Sequence, residues 1–232
     1  MSAPAASAAA PAGAHGPPEL ALFDLDGTIT RHDTLLPYVL GFLLRHPARL
    51  LRLPLALPAL MRYLLGRADR GELKSALVRA ALGGSTRSAV DAWTSQFASH
   101  LLRRGVHADA LEAIARHRRE GDVLALLSAS VDLYVPAVGR SLGFTEILCT
   151  EVRWNGDRLA GTLVSGNRRG AAKVFSLAEL RTRHPGIPVT AYGNSLSDLE
   201  HLKVTDHPVL VNGSSRARHA AARAGIPCRS WD

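Results

Sequence analysis

The chain has little cysteine, and the two cysteines that it has are far apart. Cys149 and Cys228 are the only ones among 232 residues. Their separation does not match the short spacing of metal-binding cysteine pairs. A disulfide scaffold is therefore not expected, and we expect both thiols to be reduced, as they are in cytosolic proteins.

Aromatic residues and acidic residues are also scarce. Aromatics make up 5% of the chain, and they do not alternate with the basic residues, so no module for nucleic-acid binding is predicted. The formal net charge of +8 indicates instead an anionic partner, such as a phosphate compound or an acidic lipid surface. An arginine-rich composition without significance for partners is the alternative, and the charge alone does not separate the two.

No apolar run reaches the length of about 18 residues that a membrane-spanning helix needs. Residues 35–44 are too few, and Arg45, Arg49 and Arg52 interrupt the apolar residues after them. Residues 1–18 are rich in Ala, Pro and Gly and lack both the basic start and the apolar core of a signal peptide. We expect a disordered tail over 1–18 and a cytoplasmic protein, with the inner face of the membrane as a further possible location.

Short apolar runs alternate with amphipathic segments on both sides of one helical block. This pattern predicts an α/β fold, a doubly wound parallel sheet with an all-helical cap inserted after the first strand. The predicted core comprises 19–32 and 104–232, and the cap comprises 33–103. Ligands bind at the carboxyl ends of such strands, so the polar segments expected there are candidates for the site. They are 24–28, 128–130, 167–173 and 193–198.

The first of these segments contains two acids separated by one residue, Asp24 and Asp26. Two carboxylates this close repel each other unless they share a proton or a cation. Mg²⁺ fits that role because it prefers oxygen ligands. Gly27 lets the backbone approach a ligand closely. A capped turn is the alternative for an isolated pair, because Asp, Gly and Thr are common in turns.

The segment 23–30, Phe-Asp-Leu-Asp-Gly-Thr-Ile-Thr, resembles the first motif of the haloacid dehalogenase superfamily. Ser128 after an apolar strand resembles the second motif, Lys173 the third, and the segment 193–198, Gly-Asn-Ser-Leu-Ser-Asp, the fourth. The motifs occur in the family's order and extend over about residues 20–212. The helical cap between the first two motifs resembles the phosphoserine-phosphatase-like branch, subfamily IB.

The resemblance implies a phosphatase that forms an aspartyl-phosphate. Asp24 would be the nucleophile and Asp26 the general acid and base, which favours a phosphatase because a departing halide needs no proton. Lys173 would neutralise the phosphoryl charge. The phosphoryl oxygens would be held by Gly27, the Ser128 hydroxyl and backbone groups at Ala129. Mg²⁺ would be bound by Asp24, the Asp26 carbonyl, Asn194 and Asp198.

Asn194 departs from the family pattern, which usually has an aspartate there. An amide oxygen binds Mg²⁺ without adding charge, so a working but weaker metal site is expected. The alternative is a catalytically weak protein that binds phosphate and acts as a regulator. That alternative is less favoured because Asp24, Asp26, Ser128, Lys173 and Asp198 are all present.

The cap supplies the candidates for substrate recognition, Asp33 and Lys74, together with Arg168 or Arg169 from the third motif. Taken singly, each is better explained as an ordinary surface charge. Residues 35–65 are rich in leucine and carry four arginines but no acid, a pattern that suits an anionic membrane interface or, alternatively, a leucine-packed cap core.

This cap also resembles that of bacterial phosphatidylglycerophosphatase C, which implies a lipid phosphate substrate such as phosphatidylglycerophosphate. A phosphoserine phosphatase, or another phosphatase of small soluble phosphoesters, is the alternative. It fits less well, because Asp33 stands where that enzyme has a glutamate. Ala129 and Ser130 also replace its two glycines after the second-motif serine. The oligomeric state is left open.

Overall fold

The computed structural model describes residues 17–164 and 166–232. Within them the chain forms eight strands, which are β1 (Leu20–Phe23), β2 (Val123–Val131), β3 (Glu146–Thr150), β4 (Val152–Asn155), β5 (Arg158–Leu163), β6 (Val189–Gly193), β7 (His207–Val211) and β8 (Cys228–Arg229). Six of them form a parallel sheet in the order β3-β2-β1-β6-β7-β8. β4 and β5 pair with each other as an antiparallel hairpin.

The centre of the sheet is β1, whose four residues are all buried. Phe23 lies level with Leu126 of β2 on one side and with Tyr192 of β6 on the other. A strand buried on both faces must be apolar throughout, which explains the uninterrupted run 20–23. This register brings the residues that follow β1, β2 and β6 to the same edge of the sheet.

Between β1 and β2 the chain forms a helical insertion. It consists of α1 (Leu35–Arg45), a 3-10 helix (Pro47–Ala56), α2 (Leu57–Leu64), α3 (Arg70–Leu82) and α4 (Arg87–Arg104). Pro47, Pro54 and Pro58 explain the break after α1, because proline lacks the N–H group that a continuous α-helix requires. Asp69 caps α3 by accepting a hydrogen bond from the Glu72 N–H, at 2.8 Å.

The remaining helices flank the sheet. They are α5 (Ala108–Glu120), α6 (Val135–Leu142), α7 (Ala171–Arg183), α8 (Leu199–Leu202) and α9 (Ser215–Arg223). Gly121 and Gly143 end α5 and α6 in the left-handed conformation that glycine adopts without strain. The predicted fold class, a doubly wound α/β sheet with an inserted helical block, is confirmed.

Several boundaries differ from those predicted. The apolar run 20–25 predicts a strand as far as Leu25, but β1 ends at Phe23. The polar residues 128–130 predict a loop, but they belong to β2 at an irregularity in its pairing with β3. The residues 147–152 predict one strand, which the structure divides between β3 and β4, and no pattern predicts β8. Two residues are too short a run for a periodic signal, so only the pairing of β8 with β7 defines it.

The predicted disordered tail lies outside the described residues, apart from exposed Pro17 and Pro18. Among the helices that the structure describes, none combines the length and the apolar character that crossing a bilayer requires.

Candidate active site

The polar segments at the carboxyl ends of the strands surround one cavity of about 370 Å³. Its lining includes nine of the eleven predicted site residues, namely Asp24, Asp26, Gly27, Asp33, Lys74, Ala129, Lys173, Asn194 and Asp198. The segments that follow β1 and β6, the strand β2, the start of α7 and the N-terminal part of α3 each contribute to it. Residues up to 174 positions apart in sequence therefore meet at one edge of the sheet.

Lys173 lies between two carboxylates at the centre of the cavity floor. Its Nζ atom donates to Asp24 Oδ1 at 2.5 Å and to Asp198 Oδ1 at 2.7 Å. All three side chains are buried, and Lys173 is only 2% exposed. The second oxygen of Asp24, Oδ2, accepts a hydrogen bond from the Thr28 hydroxyl at 3.1 Å. A charged lysine is tolerated here because both of its partners carry the opposite charge.

The protonation of these groups follows from burial and from their mutual charges. Burial raises the pKa of Asp24 to about 7, although the Lys173 ammonium acts in the opposite direction. Burial alone would also raise the pKa of Asp198, but Lys173 holds it well below its usual range. Burial disfavours charge on Lys173, yet Asp198 and Asp24 together raise its pKa above the usual value. Lys173 is therefore a fixed positive charge beside Asp24.

Asp26 is held by three hydrogen bonds from Thr34 and Ser130. Its Oδ1 atom accepts from the backbone N–H of Thr34 at 2.8 Å and from the Thr34 hydroxyl at 2.6 Å. Its Oδ2 atom accepts from the Ser130 hydroxyl at 2.6 Å. Burial raises the pKa of Asp26, and these hydrogen bonds moderate the increase. Two neighbouring acids thus have different surroundings, since only Asp24 contacts a lysine.

The structure does not place Ser128 on the cavity surface. This side chain is fully buried, and its Oγ atom accepts a hydrogen bond from the Ser130 N–H at 3.0 Å. Ala129 and Ser130 line the cavity instead. The irregularity in β2 explains the difference, because it changes which side chains of the strand face the cavity.

The loop after β6 is organised around Asp198. Asp198 Oδ2 accepts hydrogen bonds from the backbone N–H of Asn194 at 3.3 Å, the backbone N–H of Ser195 at 3.0 Å and the Ser195 hydroxyl at 2.6 Å. Both Asp198 oxygens are therefore engaged, one with Lys173 and one with this loop. Asp198 fixes the positions of both Lys173 and Asn194.

Gly27 permits a close approach between the loop that follows β1 and the loop that follows β6. Its φ angle is +79°, and a Cβ atom at this position would lie 2.0 Å from Asn194 Nδ2. Any other residue would be strained and would displace Asn194. Position 27 thus requires glycine for two reasons, the positive φ angle and the closeness of the Asn194 side chain.

Lys74 connects the inserted helices with the core. Its Nζ atom donates to the Ala129 carbonyl and, at 2.9 Å, to Asn167 Oδ1. Burial lowers the pKa of Lys74 to about 8, whereas Asp26 and Asp33 act to raise it. Asp33 also lines the cavity and accepts a hydrogen bond from the Leu35 N–H at 3.0 Å.

Arg168 does not line the cavity, contrary to the prediction. Its guanidinium group donates to the Cys149 carbonyl and to Ser176 Oγ, each at 2.8 Å. Arg169, the other arginine considered, lines the cavity and is exposed. Adjacent residues on an irregular segment point in different directions, and sequence alone does not tell which one faces the site.

Sequence reasoning missed several polar residues of the site. Thr28, Thr34 and Ser130 bond directly to the two acids, whereas Arg31 and Arg70 line the cavity. Thr28 and Thr34 lie within ten residues of Asp24, so the density of hydroxyl residues around it was a usable signal. Ser130 lies in the candidate segment 128–130 but is not singled out there, and no local signal marks Arg70 as part of the site.

The donors at this site suit a hard divalent cation. Two buried carboxylates, from Asp24 and Asp198, share one buried ammonium group, from Lys173, and the half-buried carboxylate of Asp26 lines the same cavity. The group as a whole therefore has an excess of negative charge that a cation would offset. Its remaining donors are the oxygens of an amide and of the backbone, and such oxygens are preferred by Mg²⁺.

Comparison with known sequences gives consistent results. The model for the haloacid dehalogenase-like hydrolase family matches residues 21–203. Protein CicA of Caulobacter vibrioides is 35% identical over 198 residues, which cover 82% of this chain and 84% of CicA. A probable phosphatase of Mycobacterium tuberculosis is 30% identical over 129 residues, which cover 54% of this chain and 44% of that protein.

Solved structures share the fold. A Bordetella pertussis protein of unknown function has a TM-score of 0.76 at 22% identity, covering 92% of this chain and 98% of that one. A substrate-bound phosphoserine phosphatase has a TM-score of 0.64 at 16% identity, and the match covers 92% of this chain and 93% of that one. At these identities the likeness extends to the fold and not to the substrate.

Proposed function

The chain belongs to the haloacid dehalogenase-like hydrolase family and is a phosphatase, and we propose that it hydrolyses phosphomonoesters through an aspartyl-phosphate on Asp24. The observation that carries this proposal is the hydrogen bond from Lys173 Nζ to Asp24 Oδ1, at 2.5 Å in the cavity. Asp26 makes no such contact and accepts hydrogen bonds from the hydroxyls of Thr34 and Ser130 instead. The proposed nucleophile, Asp24, and the proposed proton donor, Asp26, therefore line the same cavity but have different hydrogen-bond partners.

In the first half-reaction, a carboxylate oxygen of Asp24 attacks phosphorus and the bond to the leaving oxygen breaks. Protonated Asp26 gives its proton to that oxygen. In the second half-reaction, Asp26 takes a proton from water as the water oxygen attacks phosphorus. The Asp24–phosphorus bond then breaks, which releases inorganic phosphate and restores the Asp24 carboxylate.

Lys173 stabilises the charge that develops on the phosphoryl oxygens, because a fixed ammonium in a buried site acts strongly on nearby anions. Asp198 keeps this ammonium in place through its 2.7 Å hydrogen bond. Gly27, Ala129 and Ser130 belong to the cavity lining where the phosphoryl group would bind. The buried hydroxyl of Ser128 positions this part of β2 through its bond to the Ser130 N–H.

We propose Mg²⁺ as the cofactor, bound by Asp24, the Asp26 carbonyl and Asn194, with Asp198 acting through water because both its oxygens are engaged. When bound, the cation would offset the negative charge shared by the carboxylates and the incoming phosphate. The amide of Asn194 contributes no charge to that site.

The test of the mechanism uses a soluble aryl phosphate such as p-nitrophenyl phosphate. The wild type should release phosphate with Mg²⁺ and stop when EDTA is added, and acid quenching should trap a phosphorylated protein. Asp24→Asn should lower kcat by roughly 10³-fold or more and give no trapped phosphoprotein. Exposed Asp91→Asn is the control and should retain full activity.

An active Asp24→Asn variant would refute the aspartyl-phosphate. A wild type that binds phosphate and turns over no phosphomonoester would instead indicate a regulatory phosphate-binding protein.

For the substrate we propose a lipid phosphomonoester, such as phosphatidylglycerophosphate, hydrolysed in the cytoplasm at the inner face of the membrane. Four cationic side chains line the cavity, Arg31, Arg70, Lys74 and Arg169. They suit a substrate with a second anionic group beside the phosphomonoester, and phosphatidylglycerophosphate has such a group in its phosphodiester.

Phosphoserine and other small phosphoesters are the alternative substrates, since a carboxylate also satisfies these cations. A panel that compares kcat/KM for phosphatidylglycerophosphate in detergent with that for phosphoserine separates the two. A preference for phosphoserine would refute the lipid assignment and leave the aspartyl-phosphate mechanism intact.

A further inference from the structure

The exposed apolar side chains of this protein are concentrated on the inserted helices. Among the described residues, sixteen large hydrophobic side chains are exposed, and eleven of them lie between Leu36 and Leu65. The other five, Leu111, Val164, Phe175, Leu196 and Val204, are dispersed along the rest of the chain. Scattered apolar side chains are normal on a surface, but a concentration of this kind marks an interaction site.

On α1 these side chains form a single stripe. Leu36, Leu40 and Leu44 are 52%, 47% and 78% exposed, and their spacing of four residues places them on one side of the helix. Another side of α1 is packed in the core through Tyr38 and Phe42. The helix is thus apolar on two sides, whereas the fold covers one.

The helix α2 has no buried residue at all. Leu57, Leu60, Met61 and Leu64 recur at the spacing of one helical face, and all four are exposed. A helix of eight residues obtains its stability mainly from tertiary packing, and nothing within the described residues covers this face. Leu51 and Leu55 of the 3-10 helix, 85% and 62% exposed, lie between the two α-helices in sequence.

We call the exposed leucine and methionine side chains of 36–65 the apolar cap surface. The charged residues within 34–68 are all of one sign, since this segment contains five arginines and no acid. Arg49 and Arg52 each donate a hydrogen bond to the Gly83 carbonyl, and Arg62 forms a salt bridge with Glu72 at 3.0 Å. Arg45 follows Leu44 and is exposed, although its guanidinium lies over the Trp93 ring and donates to Gln96 Oε1 and to the Gly41 carbonyl, each at 3.2 Å. Arg67, two residues after Leu65, is also exposed.

We propose that the apolar cap surface docks into the interface of an anionic lipid bilayer, with Arg45 and Arg67 at the level of the lipid headgroups. Leucine-rich faces bordered by arginines bind such interfaces through apolar burial and attraction to anionic lipids. A second copy of the chain suits the surface less well, because a two-fold interface brings like-charged arginines together without an acid. This inference specifies the partner of the proposed lipid phosphatase and rests on that proposal.

The test measures binding without turnover, by co-sedimentation with vesicles of phosphatidylcholine that contain or lack phosphatidylglycerol. The wild type should bind the anionic vesicles, and binding should weaken as salt rises from about 0.05 M to about 0.5 M. The double variant L51Q/L64Q should partition at least about tenfold less. The matched control is L111Q/F175Q, which alters two exposed apolar residues elsewhere and should bind as the wild type does.

Three outcomes would overturn the inference. They are no binding of the wild type to anionic vesicles, undiminished binding of L51Q/L64Q, and a wild-type dimer in solution that L51Q/L64Q converts to a monomer. The last would show that a second copy covers the surface.

Both double variants should hydrolyse p-nitrophenyl phosphate at the wild-type rate, because none of the four residues lines the cavity. Failure of the wild type in that assay would count against the proposed phosphatase mechanism, not against vesicle binding.

Discussion

Thr34 donates two hydrogen bonds to one oxygen of Asp26, from its backbone N–H at 2.8 Å and from its hydroxyl at 2.6 Å. Thr34 immediately precedes α1, and its hydroxyl does not cap that helix as a threonine there commonly does. The hydroxyl also lies 2.8 Å from the Tyr134 hydroxyl. The residue at which the helical insertion begins therefore holds the acid proposed to protonate the leaving group.

Thr34→Val tests this connection. The variant loses one hydrogen bond to Asp26 and keeps the backbone one, so the carboxyl is less well oriented but not displaced. We expect kcat on an aryl phosphate to fall about tenfold with little change in KM. Exposed Thr182→Val should leave kcat unchanged. A wild-type kcat in Thr34→Val would show that the hydroxyl does not orient Asp26.

Lys173→Met should reduce both activity and stability. The substitution leaves Asp24 and Asp198 buried without their shared counter-charge, and breaking a buried ion pair costs about 3–5 kcal/mol. Urea unfolding without metal should show the lower free energy of unfolding. Lys203→Met, at an exposed position, should change it little. Equal stability of Lys173→Met and wild type would contradict the role of Lys173 as a buried counter-ion.

Asn194→Asp should strengthen the metal site. A carboxylate in place of the amide adds a negative charge to the proposed ligands, and we expect the Mg²⁺ concentration for half-maximal activity to fall about tenfold. The same charge should destabilise the metal-free protein, because the site already holds three carboxylates. Asn155→Asp, at an exposed position, is the control and should leave the Mg²⁺ concentration for half-maximal activity unchanged. An unchanged Mg²⁺ requirement would argue that residue 194 is not a ligand.

Two adjacent arginines should behave differently. Arg169→Met removes a cation from the cavity lining. It should raise the KM for phosphatidylglycerophosphate about tenfold and leave the free energy of unfolding unchanged. Arg168→Met removes hydrogen bonds to the Cys149 carbonyl and Ser176 Oγ, so it should lower the melting temperature and leave KM unchanged. Steady-state kinetics and thermal unfolding of both variants decide the matter, and the reverse assignment would contradict the structure.

Asp132 should make stability depend on pH. Burial raises its pKa to about 6 from an ordinary value of 3.8. Between these values the unfolded chain releases its proton first, so stability falls as pH rises from about 4 to about 6 and then stays lowered. Asp132→Asn keeps an oxygen to accept the Val152 N–H hydrogen bond and removes this penalty.

Relative to the wild type, the melting temperature of Asp132→Asn should therefore be higher by a few degrees at pH 7 and nearly equal at pH 4. Exposed Asp157→Asn should show no such difference between the two pH values. A constant offset at both pH values would mean that the Asp132 carboxyl is not the source of the dependence.

The sequence by itself determined the fold class and the position of the cavity. Apolar runs such as 20–23 must be buried on both sides, and parallel strands bring their carboxyl ends to one edge. The polar segments that follow those runs were therefore bound to meet, whatever the details of packing. The fold class placed the segments 24–28, 167–173 and 193–198 together, and the resemblance to a known family singled out Asp24, Asp26, Lys173 and Asp198 within them.

Only the tertiary structure decided which side chains face the cavity and which support it. Ser128 is covered and Ser130 reaches Asp26, because an irregular strand changes side-chain direction from one residue to the next. Arg168 and Arg169 separate for a similar reason. The exposure of α2 likewise depends on how helices distant in sequence pack, since a leucine-rich helix has the same pattern whether its face is covered or free.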